Sequence, residues 1–517
     1  MRPHQRTLSA VGHALGVLLV ILAVAMALVG LVSWAVGEAP GLLARAFGVP
    51  AAGAALVGGL SWWRTQIRTL DAVEAMLVCA LGWIVLSIVG ALPLVVLLDA
   101  SWIDASFEVV SGFTTTGITV FTGLDALPRS AILWRALTQW IGGVGILSLF
   151  VALTRSPSLA HRLGPTEAHK IQASRPVPGP LRTLQFFALI YVGLTILVAL
   201  GLRLGGVGWF DAITHAFTTL STGGFSGHDA SVAHWRAPEQ IAAGARPVVI
   251  EWVIIAGMAA GGTSFVVHFR LARGEWRALG DGAEIRAWIG LLLGALLVLL
   301  GEQWLRGTGM FAADALETTH ALGEGWLARA EAGVRTTLFQ VLAIATTTGY
   351  ATADIATPFW GSTARVLFLV LMCVGGCVGS TSGGFKVTRI LLLLGLMRRE
   401  LRRTILPRGA ALPVVLDRSP VEAGELGRVG GLAVAWVVLL IVGTLVTTLC
   451  SPHAGWAAFS GVASALNNIG PCYMNIPEVA GLPPGVKGVW MLAMLVGRLE
   501  VLPLAVLFSA RAWRGIH

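Results

Sequence analysis

Long apolar stretches alternate with short, more polar segments along the whole chain. Two long runs come first, at residues 11–36 and 41–63. The next run, 72–98, is followed by a half-polar segment at 103–112 and then by another run at 129–153. A helix of about 20 apolar residues crosses a hydrocarbon core of about 30 Å. The pattern therefore predicts about ten membrane-spanning helices, with short half-polar segments between some of them.

The half-polar segments belong to an internal repeat. Four related stretches read FEVVSGFTTTGITV at 107–120, ITHAFTTLSTGGFS at 213–226, FQVLAIATTTGYAT at 339–352 and SGVASALNNIGPCY at 460–473. Aligned on Gly117, Gly223, Gly349 and Gly470, they recur at similar intervals. Such self-similarity is typical of a fold that is built from repeated units.

Each unit has the same order of elements. A long apolar run is followed by a short half-polar helix, a turn rich in Thr, Ser or Asn that ends at glycine, and a second apolar run. We predict an all-α polytopic membrane protein with four pseudo-symmetric helix–pore helix–filter–helix repeats around a central pore, preceded by two accessory transmembrane helices. The predicted divisions are an accessory pair at 1–66 and pore repeats at 67–155, 156–275, 276–405 and 406–517.

The glycine-ending turns are too short and too polar to span a bilayer, so re-entrant hairpins are expected. Four hairpins that meet on one axis would present rings of backbone carbonyls, which can replace the hydration shell of a monovalent cation. A single Thr/Gly turn is more often only a helix breaker, but four related copies favour a filter. The predicted cation-binding filter comprises Thr114, Thr115, Thr116, Gly117, Leu220, Ser221, Thr222, Gly223, Thr346, Thr347, Thr348, Gly349, Asn467, Asn468, Ile469 and Gly470.

Composition supports the bilayer as the solvent. The 517 residues are 56% hydrophobic and 12% charged, and a soluble domain could not bury so much apolar surface. The net charge of +9 does not require nucleic acid, because loop placement explains it. Basic segments at 154–182 and 386–403 should be cytoplasmic by the positive-inside rule, and the acidic stretch 302–335 should face outward.

Acidic residues follow the four glycines. They are Asp125, Asp229, Asp354 and Glu478. A ring of carboxylates at the outer mouth of a pore would raise the local cation concentration. Ordinary solvated loop charge is the alternative interpretation.

One apolar run contains a cluster of small residues that predicts a broken helix. As a single helix, residues 365–398 would be longer than a bilayer core requires. Each glycine destabilises a helix interior by about 1 kcal/mol relative to alanine. We therefore expect a loop below the third filter that obstructs the pore, although a small-residue surface for helix packing is an alternative. The predicted loop comprises Gly375, Gly376, Gly379, Ser380, Thr381, Ser382, Gly383 and Gly384.

Two basic residues complete the predicted gate. Arg498 lies inside the last apolar run, where an ionisable side chain suggests a function, and Glu500 or the loop carbonyls are its candidate partners. Its charge would bar cations while the loop is closed. Lys386 would hold the cytoplasmic end of the loop.

These residues resemble the TrkH/Ktr/HKT superfamily of potassium transporters, and its TrkH branch in particular. The likeness rests on SGFTTTG at 111–117, QWIGGVGI at 139–146, LSTGGFSGHD at 220–229, ATTTGYATAD at 345–354, GGCVGSTSGGFKVTR at 375–389, SALNNIGP at 464–471 and GRLEVLPLAVLF at 497–508. The resemblance implies a pore within one chain, a homodimer and a cytosolic ring of nucleotide-binding regulatory subunits. Cys472 departs from the pattern, because many relatives look glycine-like there.

The predicted function is potassium uptake across the plasma membrane through a conduit that is gated from the cytosol. A symporter that couples potassium to protons or sodium is the alternative. A membrane-embedded enzyme or scaffold is disfavoured by the four filters. The sequence contains no GxxxxGK[ST], HExxH or CxxC motif, so no cofactor is expected in this chain. His215 in the second pore helix is either a pH sensor or a packing residue.

Overall fold

The computed structural model describes residues 3–65, 70–153, 180–308, 325–407, 412–417, 419–453 and 455–514. Most of the basic segment 154–182 and the middle of the acidic stretch 302–335 lie outside the described residues. The predicted divisions at 66/67 and 155/156 also lie outside them. The orientation inferred from those charges stays a prediction.

The two accessory helices form a closely packed pair. They are Pro3–Ala35 and Pro40–Arg64, and the second contains one π-helical turn at Ala44–Gly48. A β carbon on Gly16 would clash with the Gly58 carbonyl, and one on Gly58 with the Gly16 carbonyl. Small residues are typical where membrane helices approach so closely. Met26 and Phe47 then pack against the first pore unit.

Each of the four pore units contains a first helix, a pore helix and a second helix. The first helices are Ala72–Leu98, Pro180–Leu204, Ala283–Arg306 and Ala423–Cys450. The pore helices are Trp102–Phe113, Trp209–Leu220, Trp326–Ala345 and Gly455–Asn467. The second helices are Arg129–Leu153, Pro247–Gly262 with Phe265–Ala272, Ser362–Met372 with Val387–Arg403, and Pro484–Leu499 with Val501–Leu507. This order confirms the predicted fold class.

The second helices differ in how they cross the molecule. In the second unit the two segments are bent by 107°, and in the fourth unit by 115°. In the third unit they are separated by the stretch between Met372 and Val387, so the predicted helix break is confirmed. The second helix of the first unit is one continuous helix, Arg129–Leu153, within the described residues. In three of the four units the second helix is therefore described as two separate segments.

Within the described residues, six helices are long and apolar enough to span a membrane, or eight if each bent pair counts as one span. The prediction of about ten also counted Arg129–Leu153 and the broken helix of the third unit, which this criterion omits. Many apolar side chains on the first helices are exposed, including Leu197, Leu297 and Val434. The pore helices are instead buried in the core, among them Phe107, Ala216, Phe339 and Val462. Exposed apolar side chains around a buried layer of pore helices are expected for a protein that is surrounded by lipid.

The remaining described elements are short. Helical turns cover Leu124–Ala126, Ser231–Arg236, Pro238–Ala242, Trp276–Leu279, Ile476–Ala480 and Ala510–Arg514. Val415–Leu416 and Ser419–Pro420 form a small antiparallel hairpin, in which Val415 lies opposite Pro420. These elements connect the units and do not change their architecture.

Candidate ion-conduction site

All four pore helices end in the same backbone turn. One or two residues after the end of each pore helix comes a residue with a positive φ: 52° at Thr115, 54° at Thr222, 58° at Thr347 and 56° at Asn468. The next amide donates to a carbonyl five residues back, as from Thr116 to Ser111 (2.8 Å). The same bond joins Gly223 to Thr218, Thr348 to Ala343 and Ile469 to Ser464. This is a Schellman motif, which satisfies the last carbonyls of a helix.

Side chains support these turns from within. Thr114 Oγ1 donates to the Val110 carbonyl (2.6 Å) and lies 2.7 Å from Thr116 Oγ1. Thr346 repeats both contacts with Leu342 and Thr348. In the fourth unit Asn467 Nδ2 donates to the Ala463 carbonyl (2.8 Å). Hydroxyl and amide side chains thus hold the turns through local hydrogen bonds.

The backbone register of the second turn differs from the sequence alignment. Two residues after each residue of positive φ comes a glycine that also has a positive φ: Gly117 (82°), Gly224 (74°), Gly349 (84°) and Gly470 (109°). Gly224, not Gly223, is therefore equivalent to the other three. The alignment on Gly223 was wrong by one residue, because two adjacent glycines made the register ambiguous. Leu220 is the last residue of its pore helix, and the equivalent turn is 221–224.

The four turns form a closed ring. A β carbon on Gly117 would come within 3.0 Å of the Gly223 carbonyl oxygen in the next unit. The same clash relates Gly224 to Thr348 and Gly349 to Ile469. The ring closes where Gly470 approaches the Thr116 carbonyl, at 3.1 Å from the β-carbon position. Each glycine thus lies against the residue that precedes the glycine of the following unit, so all four turns surround one axis in chain order.

The stretch between Met372 and Val387 forms a loop that folds back on itself. The Gly375 amide donates to the Phe385 carbonyl (3.0 Å), and Val374 and Phe385 form a parallel bridge at the base. Gly379 and Gly384 have φ values of 74° and 73°, which other residues rarely adopt. Ser380 Oγ and Ser382 Oγ lie 2.7 Å apart, and the Gly376 amide donates to Ser382 Oγ (3.1 Å). These contacts give the loop a defined structure.

This loop contacts three of the four filter turns. Thr381 Oγ1 lies 3.5 Å from Thr222 Oγ1 in the second turn and donates to the carbonyl of Leu220, at the end of the second pore helix (2.9 Å). The Gly383 amide donates to Thr347 Oγ1 in the third turn (2.7 Å). A β carbon on Gly383 would clash with the Asn467 carbonyl of the fourth unit. The predicted loop and the predicted filter therefore lie against each other.

The two basic residues of the predicted gate both bind loop carbonyls. Arg498 Nη1 donates to the Thr381 carbonyl (2.8 Å), and Lys386 Nζ donates to the Ser382 carbonyl. Arg498 is 3% exposed, and its Nε and Nη2 have no partner among the described residues. Glu500 pairs with Arg389 (2.6 Å). Of the two candidate partners for Arg498, the loop carbonyl is therefore correct.

The four acidic residues fall into two kinds of environment. Asp125 and Asp229 are joined, because the Asp229 amide donates to Asp125 Oδ2 (3.2 Å) and the Leu124 amide donates to Asp229 Oδ2 (3.1 Å). Asp354 accepts a bond from the Ala356 amide (2.9 Å), and Glu478 forms a capping box with Asn475. The first two carboxylates thus connect two units, whereas the other two stabilise local turns.

Histidines modify the charge of the first pair. Burial alone would raise the pKa of Asp125, but hydrogen bonds from His228 and from the Asp229 amide outweigh it and lower the pKa below its usual value. Burial alone would lower the pKa of His228, but Asp211 and Asp125 outweigh it and raise the pKa. Burial and the neighbouring His228 lower the pKa of His234. Asp125 therefore carries a negative charge at neutral pH.

Sequence reasoning missed the polar bridges between neighbouring units. Gln139 Nε2 donates to the Gly223 carbonyl (2.7 Å) and its Oε1 accepts from the Phe225 amide (3.0 Å). Other bridges are Arg135 to the Ser226 carbonyl, Arg236 to Glu251 with Arg335, Tyr473 to the Arg365 carbonyl, and Asn468 to Thr116. Charged residues inside apolar helices, such as Glu108 beside Arg135, were the available signal.

His215 makes hydrogen bonds with both ring nitrogens. Its Nδ1 lies 2.9 Å from the Asp211 carbonyl, and its Nε2 lies 3.0 Å from Ser226 Oγ. The side chain is fully buried. This environment favours the packing interpretation over the pH sensor.

Comparison with known proteins agrees with this architecture. Residues 50–514 match the TrkH family, described as cation transport proteins. The chain is 33% identical to the Trk system potassium uptake protein TrkH of Salmonella typhimurium, over 98% of this chain and 99% of the relative. It is 32% identical to the Trk system potassium uptake protein TrkI of Halomonas elongata, over 97% and 96%. The crystal structure of the potassium transporter TrkH from Vibrio parahaemolyticus matches with a TM-score of 0.82 and 29% identity, over 98% of this chain and 99% of that chain.

The matches to the relative from Salmonella typhimurium and to the crystal structure cover 98% of this chain, so they concern the whole architecture and not one motif. The family consists of membrane transporters and not of enzymes. The chain is a member of the TrkH family of cation transport proteins.

Proposed function

We propose that this protein takes up potassium ions across the plasma membrane through the ring of four filter turns. The closed ring is the observation that supports this most directly. Four re-entrant turns meet on one axis at the ends of four buried pore helices. Irregular backbone at membrane depth persists where it lines a cavity or is enclosed by protein. The proposed ion-binding turns are 114–117, 221–224, 346–349 and 467–470.

The chemistry of the turns suits a monovalent cation. Backbone carbonyls can replace the hydration shell of such an ion without a formal negative charge. Several hydroxyl groups that could compete for the ion are already engaged, because Thr114 and Thr346 donate to helix carbonyls. The relatives named as potassium uptake proteins support potassium as the transported substrate.

The loop at 373–386 is the proposed gate. It lies against the second, third and fourth turns, where it would obstruct an ion that leaves the filter. Arg498 and Lys386 add two basic side chains to this region. Opening requires the loop to leave these positions, so both basic groups would lose their carbonyl partners.

The proposal also covers the boundaries of the units, the outer mouth and the partners. These assignments are supported by the family resemblance and by where the residues lie in the chain. The pore repeats are assigned to 67–155, 156–275, 276–405 and 406–517, after an accessory pair at 1–66. The carboxylates at the outer mouth, Asp125, Asp229, Asp354 and Glu478, would attract cations. A second copy of the chain and a cytosolic ring of nucleotide-binding subunits are the proposed partners.

A flux assay with purified full-length protein in liposomes tests the function. We expect potassium flux that is driven by the potassium gradient alone and exceeds sodium flux. Gly349→Ser would place a side chain against the Ile469 carbonyl and should reduce the preference for potassium. Gly485→Ser is a matched control, because the space around Gly485 is open. Flux that requires a proton or sodium gradient would indicate symport, and a lack of flux would contradict transport by this chain.

A further inference from the structure

We propose that Asp125, His228 and His234 form a binding site for a divalent transition-metal ion at the outer mouth, and that metal binding there reduces potassium entry. The three residues come from two pore units. Asp125 follows the first filter turn, and both histidines follow the second turn. Their ligand atoms all lie within 4.8 Å of one another.

The geometry directs both imidazoles at one carboxylate. His228 Nδ1 lies 2.5 Å from Asp125 Oδ1, and His234 Nδ1 lies 3.7 Å from the same oxygen. The two rings are stacked, with centroids 3.5 Å apart and planes 9° from parallel. A metal ion would require the rings to tilt so that both nitrogen lone pairs converge. Partial exposure of the His234 side chain (22%) and the Asp125 side chain (49%) leaves room for this movement.

Surrounding groups hold the three side chains in place. Asp125 Oδ2 accepts from the Asp229 amide, and the His228 amide donates to Ser226 Oγ (3.0 Å). His228 Nε2 has no hydrogen-bond partner among the described residues, yet it lies 3.7 Å from Asp211 Oδ1. A histidine that binds metal through one nitrogen commonly donates its other N–H to a carboxylate. Asp211 is placed to accept that bond after a small shift.

The donor set selects the class of ion. Two imidazole nitrogens and one carboxylate suit Zn²⁺, Cu²⁺ or Ni²⁺, whereas Ca²⁺ and Mg²⁺ prefer oxygen ligands throughout. Three protein ligands with open positions for water correspond to an accessible site and not to a closed structural one. Because the site is partly exposed, an ion could enter from the solvent.

Position explains the expected effect on transport. His228 is linked through Ser226 to the segment that directly follows Gly224. A bound divalent ion would neutralise Asp125 and add positive charge beside the pore entrance, which repels an approaching potassium ion. The metal would therefore act as an inhibitor that does not occupy the filter.

Binding is measured first, on the full-length protein in detergent after treatment with a chelator. Calorimetric titration with Zn²⁺ alone should give one ion per chain, and Co²⁺ should give the absorption of a nitrogen- and oxygen-ligated ion. His234→Ala should weaken Zn²⁺ binding by about tenfold or more, because a ligand is lost. His234→Cys should restore binding, since thiolate is a good zinc ligand.

His453→Ala is the matched control, because this histidine precedes the fourth pore helix and is not part of the cluster. Its Zn²⁺ affinity should equal that of the wild type. Equal affinity in the wild type and His234→Ala, or failure of His234→Cys to bind, would overturn the metal site. This result does not depend on whether the protein transports potassium.

Flux measurements then test the effect of the bound ion. Zn²⁺ should inhibit potassium flux into liposomes, and His234→Ala should require about tenfold more Zn²⁺ for the same inhibition. His453→Ala should respond like the wild type. Unchanged flux in the wild type at a Zn²⁺ concentration that saturates the calorimetric site would overturn the inhibitory role.

Discussion

The fourth filter turn is built differently from the first three. Thr115, Thr222 and Thr347 are β-branched residues at positive φ, where such side chains are strained, but Asn468 tolerates that conformation well. Asn468 Nδ2 also donates to Thr116 Oγ1 and to the Met494 carbonyl, both at 2.9 Å. The fourth turn is therefore less strained than the other three. Its asparagine also bridges the junction at which the ring closes.

The glycines show the same contrast. β carbons on Gly117, Gly224 and Gly349 would clash with carbonyl oxygens of the next unit, whereas the nearest atom to a β carbon on Gly470 is 3.1 Å away. The first three junctions are thus tight backbone contacts, and the last is looser and bridged by a side chain.

The largest difference in potassium flux and in folded protein should appear between alanine variants of a tight junction, at Gly224, and of the loose junction, at Gly470. Gly224→Ala combines a left-handed backbone cost of about 1–2 kcal/mol with overpacking of about 1–3 kcal/mol. We expect at least about a tenfold loss of potassium flux or of folded protein, because 1.4 kcal/mol corresponds to about tenfold. Liposome flux and size-exclusion chromatography measure the two outcomes.

Gly470→Ala is the matched variant, because it also places a side chain at a positive φ (109°). Since the nearest atom to its β carbon is 3.1 Å away, it should suffer less overpacking and retain more folded protein and more flux than Gly224→Ala. Equal defects in the two variants would show that the fourth junction is as constrained as the second.

The fourth unit also supplies Arg498, which holds the loop that lies against the other turns. Arg498→Ala removes a charge-assisted hydrogen bond to the Thr381 carbonyl, worth about 1.5–3 kcal/mol. Basal potassium flux should rise by about tenfold without any regulatory partner, because the closed state loses that stabilisation. Deletion of residues 379–384 should also raise the basal potassium flux.

Glu500→Gln is the control for this variant. It disturbs the neighbouring pair with Arg389 but not the bond to the loop. The gate would be misassigned if correctly inserted Arg498→Ala protein showed wild-type or lower flux in liposomes.

A smaller effect, on stability, is expected when Thr115 in the first turn is replaced by asparagine, the residue at the equivalent position (Asn468) in the fourth turn. Thr115 Oγ1 has no hydrogen-bond partner among the described residues, so Thr115→Asn mainly relieves strain of about 1 kcal/mol. Its thermal melting temperature, followed by tryptophan fluorescence, should rise. Thr347→Asn should not be stabilised, because Thr347 Oγ1 accepts from the Gly383 amide. A similar rise in both variants would contradict this distinction.

The smallest effect is expected at the outer mouth. Joint replacement of Asp125, Asp229, Asp354 and Glu478 by amides should raise the potassium concentration that gives half-maximal uptake at low salt. The effect should disappear at high ionic strength, since exposed charges are screened beyond about 10 Å at 0.1 M salt. Unchanged half-saturation at low salt would support ordinary loop charge.

The sequence was sufficient to predict the units and the broken helix. The approximate runs at 72–98 and 129–153 correspond to the helices Ala72–Leu98 and Arg129–Leu153 within the described residues. Such helices are determined locally, because apolar length and glycine content decide where a membrane helix can exist. The small-residue cluster at 375–384 likewise sufficed to predict where the third unit would break.

The tertiary structure alone decided the register and the partners. The sequence offered Gly223 and Gly224 as nearly equal candidates, and the backbone conformation and contact with Thr348 selected Gly224. It also left Arg498 with two possible partners and gave no reason to join Asp125 to His234, which lie in different units. Local sequence fixes which residues form a helix or a turn, whereas contacts between distant residues depend on how the units pack around their common axis.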